Sequence, residues 1–290
     1  MLGGGFDLPA LEALAVRHNV TALLYRRLKQ VPAALIPAGL MQRLHDLYFA
    51  SALRGHRMTG LLLQTLDLLQ ESGIQAVPFK GPALAVQAYG DLSQRQYDDL
   101  DLLIHEADVP RAYSLLVANG YQPPFQILPG QMSWVVRGEY DLPFSRSATL
   151  FELHWAMIER SNGYPLKAEA LWENLDEIAL LDRPTAVLSP ESTAFFLCLH
   201  GAKHQWRRLM WIADLAYLPE RRPAFDWERL FRLAQDFHFE RMVNLGLSLA
   251  WQVMGLQLPA EAHRRLSLDP QAERLSAQVQ QRTLVERQNL

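Results

Sequence analysis

The segment Asp99-Leu100-Asp101-Leu102-Leu103-Ile104 reads as a β-strand with two unlike faces. Successive side chains of a strand point opposite ways, so Asp99 and Asp101 share one face while Leu100, Leu102 and Ile104 share the other. Two like charges held side by side next to an apolar core repel each other and lose hydration, a cost that a cation between them relieves. A divalent ion that prefers oxygen ligands, Mg2+ or Mn2+, is the simplest such cation. The same pattern fits an edge strand whose aspartates only meet solvent, so the flanking sequence has to decide.

Upstream, Gly73 ends a helical pattern, and Ile74 to Phe79 is short, apolar and partly β-branched, which predicts another strand. Gly81-Pro82 closes it, and Ala83 to Tyr89 reads as a short helix followed by a polar loop, Gly90 to Gln96. Glycine lets a backbone approach a ligand closely, and a helix start offers unpaired N–H groups, so the Lys80-Gly81 corner suits a phosphate, although Pro82 removes one donor. Read alone, Gly81 is equally a simple turn.

Downstream, Val109 to Tyr121 has helical spacing and a C-cap signal at Asn119-Gly120. Thr149-Leu150-Phe151-Glu152-Leu153-His154-Trp155 alternates again, which puts Glu152 and His154 on one face, with a solvent-facing edge as the plainer alternative. After Tyr164 the pattern turns helical to the C-terminus. Ser189-Pro190-Glu191 marks a helix start by its capping serine, first-turn proline and acid, and the helix should reach at least His204. If it continues, His200, Lys203, His204, Arg207, Trp211 and Asp214 fall on one stripe. So many cationic groups on one face call for an anion, and a solvated helix face is the alternative.

The order of strand, K-G-x-A-L at Lys80 to Leu84, helix, then Arg95-x-x-x-Asp99-Leu100-Asp101 resembles the nucleotidyltransferase fold of the DNA polymerase beta superfamily. It is similar above all to the bacterial family of uncharacterised nucleotidyltransferases, which also carries H-x-x-K-H before W-x-x-D, as here at His200 to His204 and Trp211 to Asp214. It also resembles the nucleotidyltransferase toxins of abortive-infection systems, departing from them at Pro82 and Tyr97. The resemblance implies a catalytic and metal-binding set of Asp99, Asp101 and Glu152, with Mg2+ or Mn2+ as cofactor. It also implies that Lys80, Gly81, Arg95, His200, Lys203, His204 and Arg207 contact a nucleoside triphosphate. The acceptor is left open between a protein, an RNA end and a small molecule.

The remaining sequence bounds these expectations. With 290 residues, 49% of them hydrophobic, and a net charge of -3, the chain can bury a substantial core and has no global basic field for nucleic acid or anionic membrane. Cys198 is the only cysteine, which excludes an intramolecular disulfide and a cysteine-only metal cage. No apolar run is long enough to span a bilayer and no leader precedes residue 20, so a cytoplasmic protein with no membrane partner is expected. The expected fold is α+β, with a helical N-terminal region (1–72), a small mixed-sheet core (73–160) and a helical C-terminal region (161–290). Two other functions fit the residues: a nucleotide-binding or partner-binding module that has lost the chemistry, and a His-Asp type metal phosphohydrolase built on His45-Asp46.

Overall fold

A computed structural model of the chain describes residues 7–128, 130–158 and 169–285, so the boundary expected at residue 160 and the point after Tyr164 lie outside the described residues. The chain opens with α1 (Leu8–Arg17), α2 (Thr21–Leu28) and the long α3 (Ala38–Glu71), then β1 (Ala76–Pro78) and α4 (Gly81–Leu84). Next come β2 (Asp99–Ile104), α5 (Val109–Ala118), α6 (Met132–Gly138), β3 (Asp141–Arg146) and β4 (Thr149–His154). A short α7 (Glu169–Trp172) precedes β5 (Asp176–Leu180) and β6 (Arg183–Val187). Helices close the chain: α8 (Pro190–Lys203), α9 (Leu209–Arg221), α10 (Trp227–Asp236), α11 (Glu240–Met254), α12 (Ala260–Ser267) and α13 (Pro270–Gln280). The architecture is α+β, a small mixed sheet with helical segments before and after it among the described residues.

Contacts divide the chain into two units. One holds residues 56–86 and 97–193, and therefore all six strands. The other holds residues up to 55, the short piece 87–96, and everything from Ala194 onward.

In the strand-bearing unit the main sheet has the order β1-β2-β4-β3. β1 runs antiparallel to β2, β2 parallel to β4, and β4 antiparallel to β3. The alternation read in β2 and β4 is what makes the sheet: Leu100, Leu102, Ile104, Phe151 and Leu153 are all at most 2% exposed. Burying each contributes on the order of 1.5–3 kcal/mol. Tyr113 of α5 meets Phe144, with ring centroids 6.0 Å apart, which seats the helix on this apolar face. α5 ends at the expected place, with Gly120 at φ 81 and the Tyr121 amide donating to the Leu116 carbonyl at 3.0 Å.

Two hairpins were hidden in the sequence. β3 and β4 turn on Ser147 (φ 50) and Ala148 (φ 59), while β5 and β6 turn on Leu181 (φ 48) and Asp182 (φ 64). Both are two-residue turns with left-handed backbones, a geometry usually filled by Asn-Gly or Asp-Gly. The expectation of an all-helical region after residue 160 is corrected here: Ile178, Leu180, Thr185 and Val187 are buried while Glu177, Ala179, Pro184 and Ala186 are exposed, which is strand alternation. Because Ala148 is exposed and takes a left-handed backbone, φ 59, Ala148→Gly is expected to raise stability by about 1 kcal/mol, read as a higher urea midpoint at unchanged slope. A lower midpoint would show that the left-handed turn carries no strain.

The helical unit uses side-chain caps. Asp226 accepts from the Arg229 amide at 2.9 Å, and Asp269 from the Ala272 amide at 3.1 Å. α11 stops at Gly255, φ 78, as helices with a left-handed C′ residue do. α8, whose first turn belongs to the strand-bearing unit, starts where expected, with the Ser189 hydroxyl oxygen accepting from the Ser192 amide at 3.2 Å. No helix among the described residues is long and apolar enough to cross a membrane.

Candidate active site

Parallel pairing of β2 with β4 sets Asp101 directly beside Glu152 on one sheet face, with His154 two residues further along β4. Asp101 is 1% exposed, whereas Asp99 and Glu152 are half-buried. Lys80, at the mouth of α4, brings its Nζ to 2.5 Å from Asp101 Oδ1. His154 Nε2 lies 3.2 Å from Asp101 Oδ1 and 3.4 Å from Glu152 Oε2, with the Phe79 ring edge-on to the imidazole at a centroid distance of 5.0 Å.

Burial by itself would push the Asp101 carboxyl up, but the Lys80 ammonium and His154 outweigh it and hold the group far below the usual carboxylate range. Burial likewise works against the charge on Lys80, and Asp101, Asp99 and Glu152 together overcome it and raise its pKa. All three acids read from the sequence therefore act on one ammonium. His154 follows the same logic: burial lowers it, the hydrogen bonds to Asp101 and Glu152 raise it further, and the net shift is upward.

Gly81 has a clear structural reason. Its φ is +51, and a Cβ there would stand 3.1 Å from the Asp99 carbonyl oxygen, so only glycine lets α4 leave β1 this close to the carboxylate strand. The Gly81-Pro82 pair does not precede the helix, as expected, but forms its first turn, because proline needs no amide partner there. α4 itself lasts four residues before a wider turn at Ala85–Tyr89.

The donor set suits a divalent cation. One atom each from Asp101, Glu152 and His154 lie within 4.8 Å of one another, the one such grouping of three or more ligands found among the described residues. Asp101 Oδ2 is buried with no hydrogen-bond partner, so this carboxylate has coordinating capacity that the protein leaves unused. The alternation of β4 places His154 on the Glu152 face, and the structure adds it to the ligand set. His45 and Asp46 are exposed neighbours on α3 and do not belong to the grouping.

The remaining predicted residues belong to the helical unit. Arg95 is 6% exposed, and its Nε and Nη2 donate to Asp214 Oδ1 and Oδ2 at 2.9 and 3.0 Å. Tyr89 donates its hydroxyl to Asp214 Oδ1 at 2.7 Å, and burial followed by the Asp214 charge drives its pKa well up. The arginine expected on phosphate is thus placed in a buried fork with the aspartate of W-x-x-D. Two motifs that looked independent form one ion pair.

The continuous stripe from His200 to Asp214 is also corrected. α8 ends at Lys203, and Gln205 and Trp206 both take positive φ, 57 and 52, before α9 begins at Leu209. The break lets the fully buried Trp206 lie over Gly201, where a Cβ would come within 2.5 Å of its ring. His200, His204 and Trp211 nevertheless gather, with ring centroids 4.6 to 5.4 Å apart, while Lys203 and Arg207 are exposed.

Comparison with known proteins supplies the context. Among solved structures, the chain is similar to the antibiotic-resistance factor ANT(2'')-Ia at 15% identity and a TM-score of 0.45, covering 63% of this chain and 91% of that one. It is similar to lincomycin-bound lincosamide antibiotic adenylyltransferase LnuA at 18% identity and a TM-score of 0.34, covering 47% and 82%. An antigenic nucleotidyltransferase-like protein from Paracoccidioides brasiliensis matches at 16% identity and a TM-score of 0.44, covering 75% and 94%. No curated protein matches the chain. The sequence profile of the uncharacterised nucleotidyltransferases matches residues 4–255, and the chain, a nucleotidyltransferase, belongs to that family.

Proposed function

We propose that the protein moves a nucleoside monophosphate from a nucleoside triphosphate onto an acceptor hydroxyl, with Asp99, Asp101 and Glu152 as the acidic wall of the site and Mg2+ or Mn2+ as cofactor. The observation that carries this reading is the register that sets Asp101 beside Glu152 on adjacent strands, with the Lys80 ammonium 2.5 Å from Asp101. In the reaction the acceptor oxygen forms a bond to the α-phosphorus, the bond from that phosphorus to the bridging oxygen breaks, and pyrophosphate leaves. A bound divalent ion supplies charge stabilisation for the phosphates and a more acidic acceptor hydroxyl. Glu152, half-buried and beside Asp101 on the neighbouring strand, takes the acceptor proton, while buried Asp101 keeps the negative charge that fixes the site. Lys80 exchanges its contact with Asp101 for a phosphate oxygen, so that no ammonium is left unpaired.

The test is pyrophosphate release from each nucleoside triphosphate with Mg2+ or Mn2+, in the presence of cytoplasmic extract as the source of acceptor. Labelled triphosphate then shows whether a protein, an RNA end or a small molecule receives the label. One observation favours a second reading: the Lys80 ammonium already sits on Asp101 as an internal counter-ion, which suits a binding module without turnover. Heat of nucleotide binding with no pyrophosphate released under any of these conditions would establish that module and exclude transfer.

A further inference from the structure

His154 is the group in this site that neither the acidic pattern nor the proposed transfer requires. It is 4% exposed, yet its Nε2 faces two carboxylate oxygens, at 3.2 and 3.4 Å. Around a six-coordinate ion with ligand bonds of roughly 2.1 Å, adjacent ligand atoms stand about 3.0 Å apart. The imidazole nitrogen therefore already stands at close to that spacing from each carboxylate oxygen, and all three donors lie within 4.8 Å of one another. A second, independent feature points the same way: Asp101 Oδ2 is buried without a donor, although this carboxylate also meets Lys80 and His154 through its other oxygen.

We propose that His154 is a nitrogen ligand of the metal centre, so that the site takes a transition-metal ion of the Mn2+ class in preference to Mg2+. Resting on the metal-dependent reading above, this assigns the centre two carboxylate oxygens and one imidazole nitrogen, from Asp101, Glu152 and His154. Mg2+ is a hard ion that favours an all-oxygen shell and holds its water tightly, whereas first-row transition ions accept imidazole readily. The imidazole is fixed for this task by its surroundings. Phe79 packs edge-on to the ring, and the parallel register of β2 and β4 sets the height of His154 against Asp101.

Electron spin echo envelope modulation of the Mn2+-loaded full chain tests the assignment directly. Protein of natural isotopic composition should show modulation from a directly bound nitrogen, and growth on nitrogen-15 histidine should shift it to the other isotope's frequencies. The chain has nine histidines, so His154→Asn and His154→Gln identify the ligand: the modulation should vanish, and the Mn2+ dissociation constant should rise by about tenfold or more. In competition, the advantage of Mn2+ over Mg2+ should collapse in the same variants. Bound Mn2+ without histidine nitrogen coupling in the unaltered chain overturns the assignment whether or not the variants fold, as does coupling that survives in either variant. Failure of the chain to bind Mn2+ at all is a separate result, and it overturns the metal-dependent reading together with this one.

Discussion

Asp101→Asn should reduce pyrophosphate release by at least about a thousandfold, equivalent to roughly 4 kcal/mol of lost transition-state stabilisation. The reason is the position of Asp101, which contacts both Lys80 and His154 and lies in register with Glu152 on the neighbouring strand. An amide has the shape of the carboxylate but none of its charge, so it can balance neither an ammonium nor a divalent ion. Because Lys80 is 9% exposed and loses its nearest counter-charge, the variant should also be less stable, and urea unfolding must accompany the rate measurement. A folded Asp101→Asn protein that keeps more than a tenth of the wild-type rate would remove Asp101 from the reaction. Asp99, half-buried and in reach of solvent, should lose activity on substitution with a smaller loss of stability.

The second large effect lies in the helical unit. Asp214→Ala leaves Arg95 buried with its fork broken and should destabilise the protein by about 3–5 kcal/mol, the range seen when one partner of a buried pair is removed. Tyr89→Phe removes one hydrogen bond to the same carboxylate and should cost only about 1.5–3 kcal/mol. The informative measurement is a double-mutant cycle: Arg95→Ala with Asp214→Ala together should cost less than the sum of the two, since neither charge is then left alone. If Asp214→Ala lowered stability by under 1 kcal/mol, the buried fork would contribute little to holding Tyr89 and Arg95 in place.

What the sequence disclosed and what it concealed follow from how each feature is encoded. Strands β2 and β4 were legible because a half-buried strand writes its two faces as alternation, and Asp99, Asp101 and Glu152 stand out against the leucines and phenylalanine between them. The start of α8 and the end of α5 were legible because caps are local chemistry. Hairpin β5–β6 was not, since its left-handed turn is Leu181-Asp182 in place of the glycine-bearing pairs that announce such turns. β3 was obscured by Pro143 and by a turn made of serine and alanine. Arg95 and Asp214 each belong to a visible motif, yet their pairing spans 119 positions, and nothing local ties one to the other. The break after Lys203 was missed for the same reason: Trp206 reads as an ordinary helical residue until the depth of its burial against Gly201 is known.

Neither unit is one continuous length of chain. The path passes from one to the other after residues 55, 86, 96 and 193, and all but the third of these points fall inside helical segments, α3, the Ala85–Tyr89 turn and α8. Fragment expression is consequently a poor route to the carboxylate sheet: any cut that frees it severs helices partway along and discards pieces contributed from distant parts of the gene. The one crossing outside a helical segment, after residue 96, only closes the short piece 87–96, so it offers no seam at which the carboxylate sheet lifts out whole.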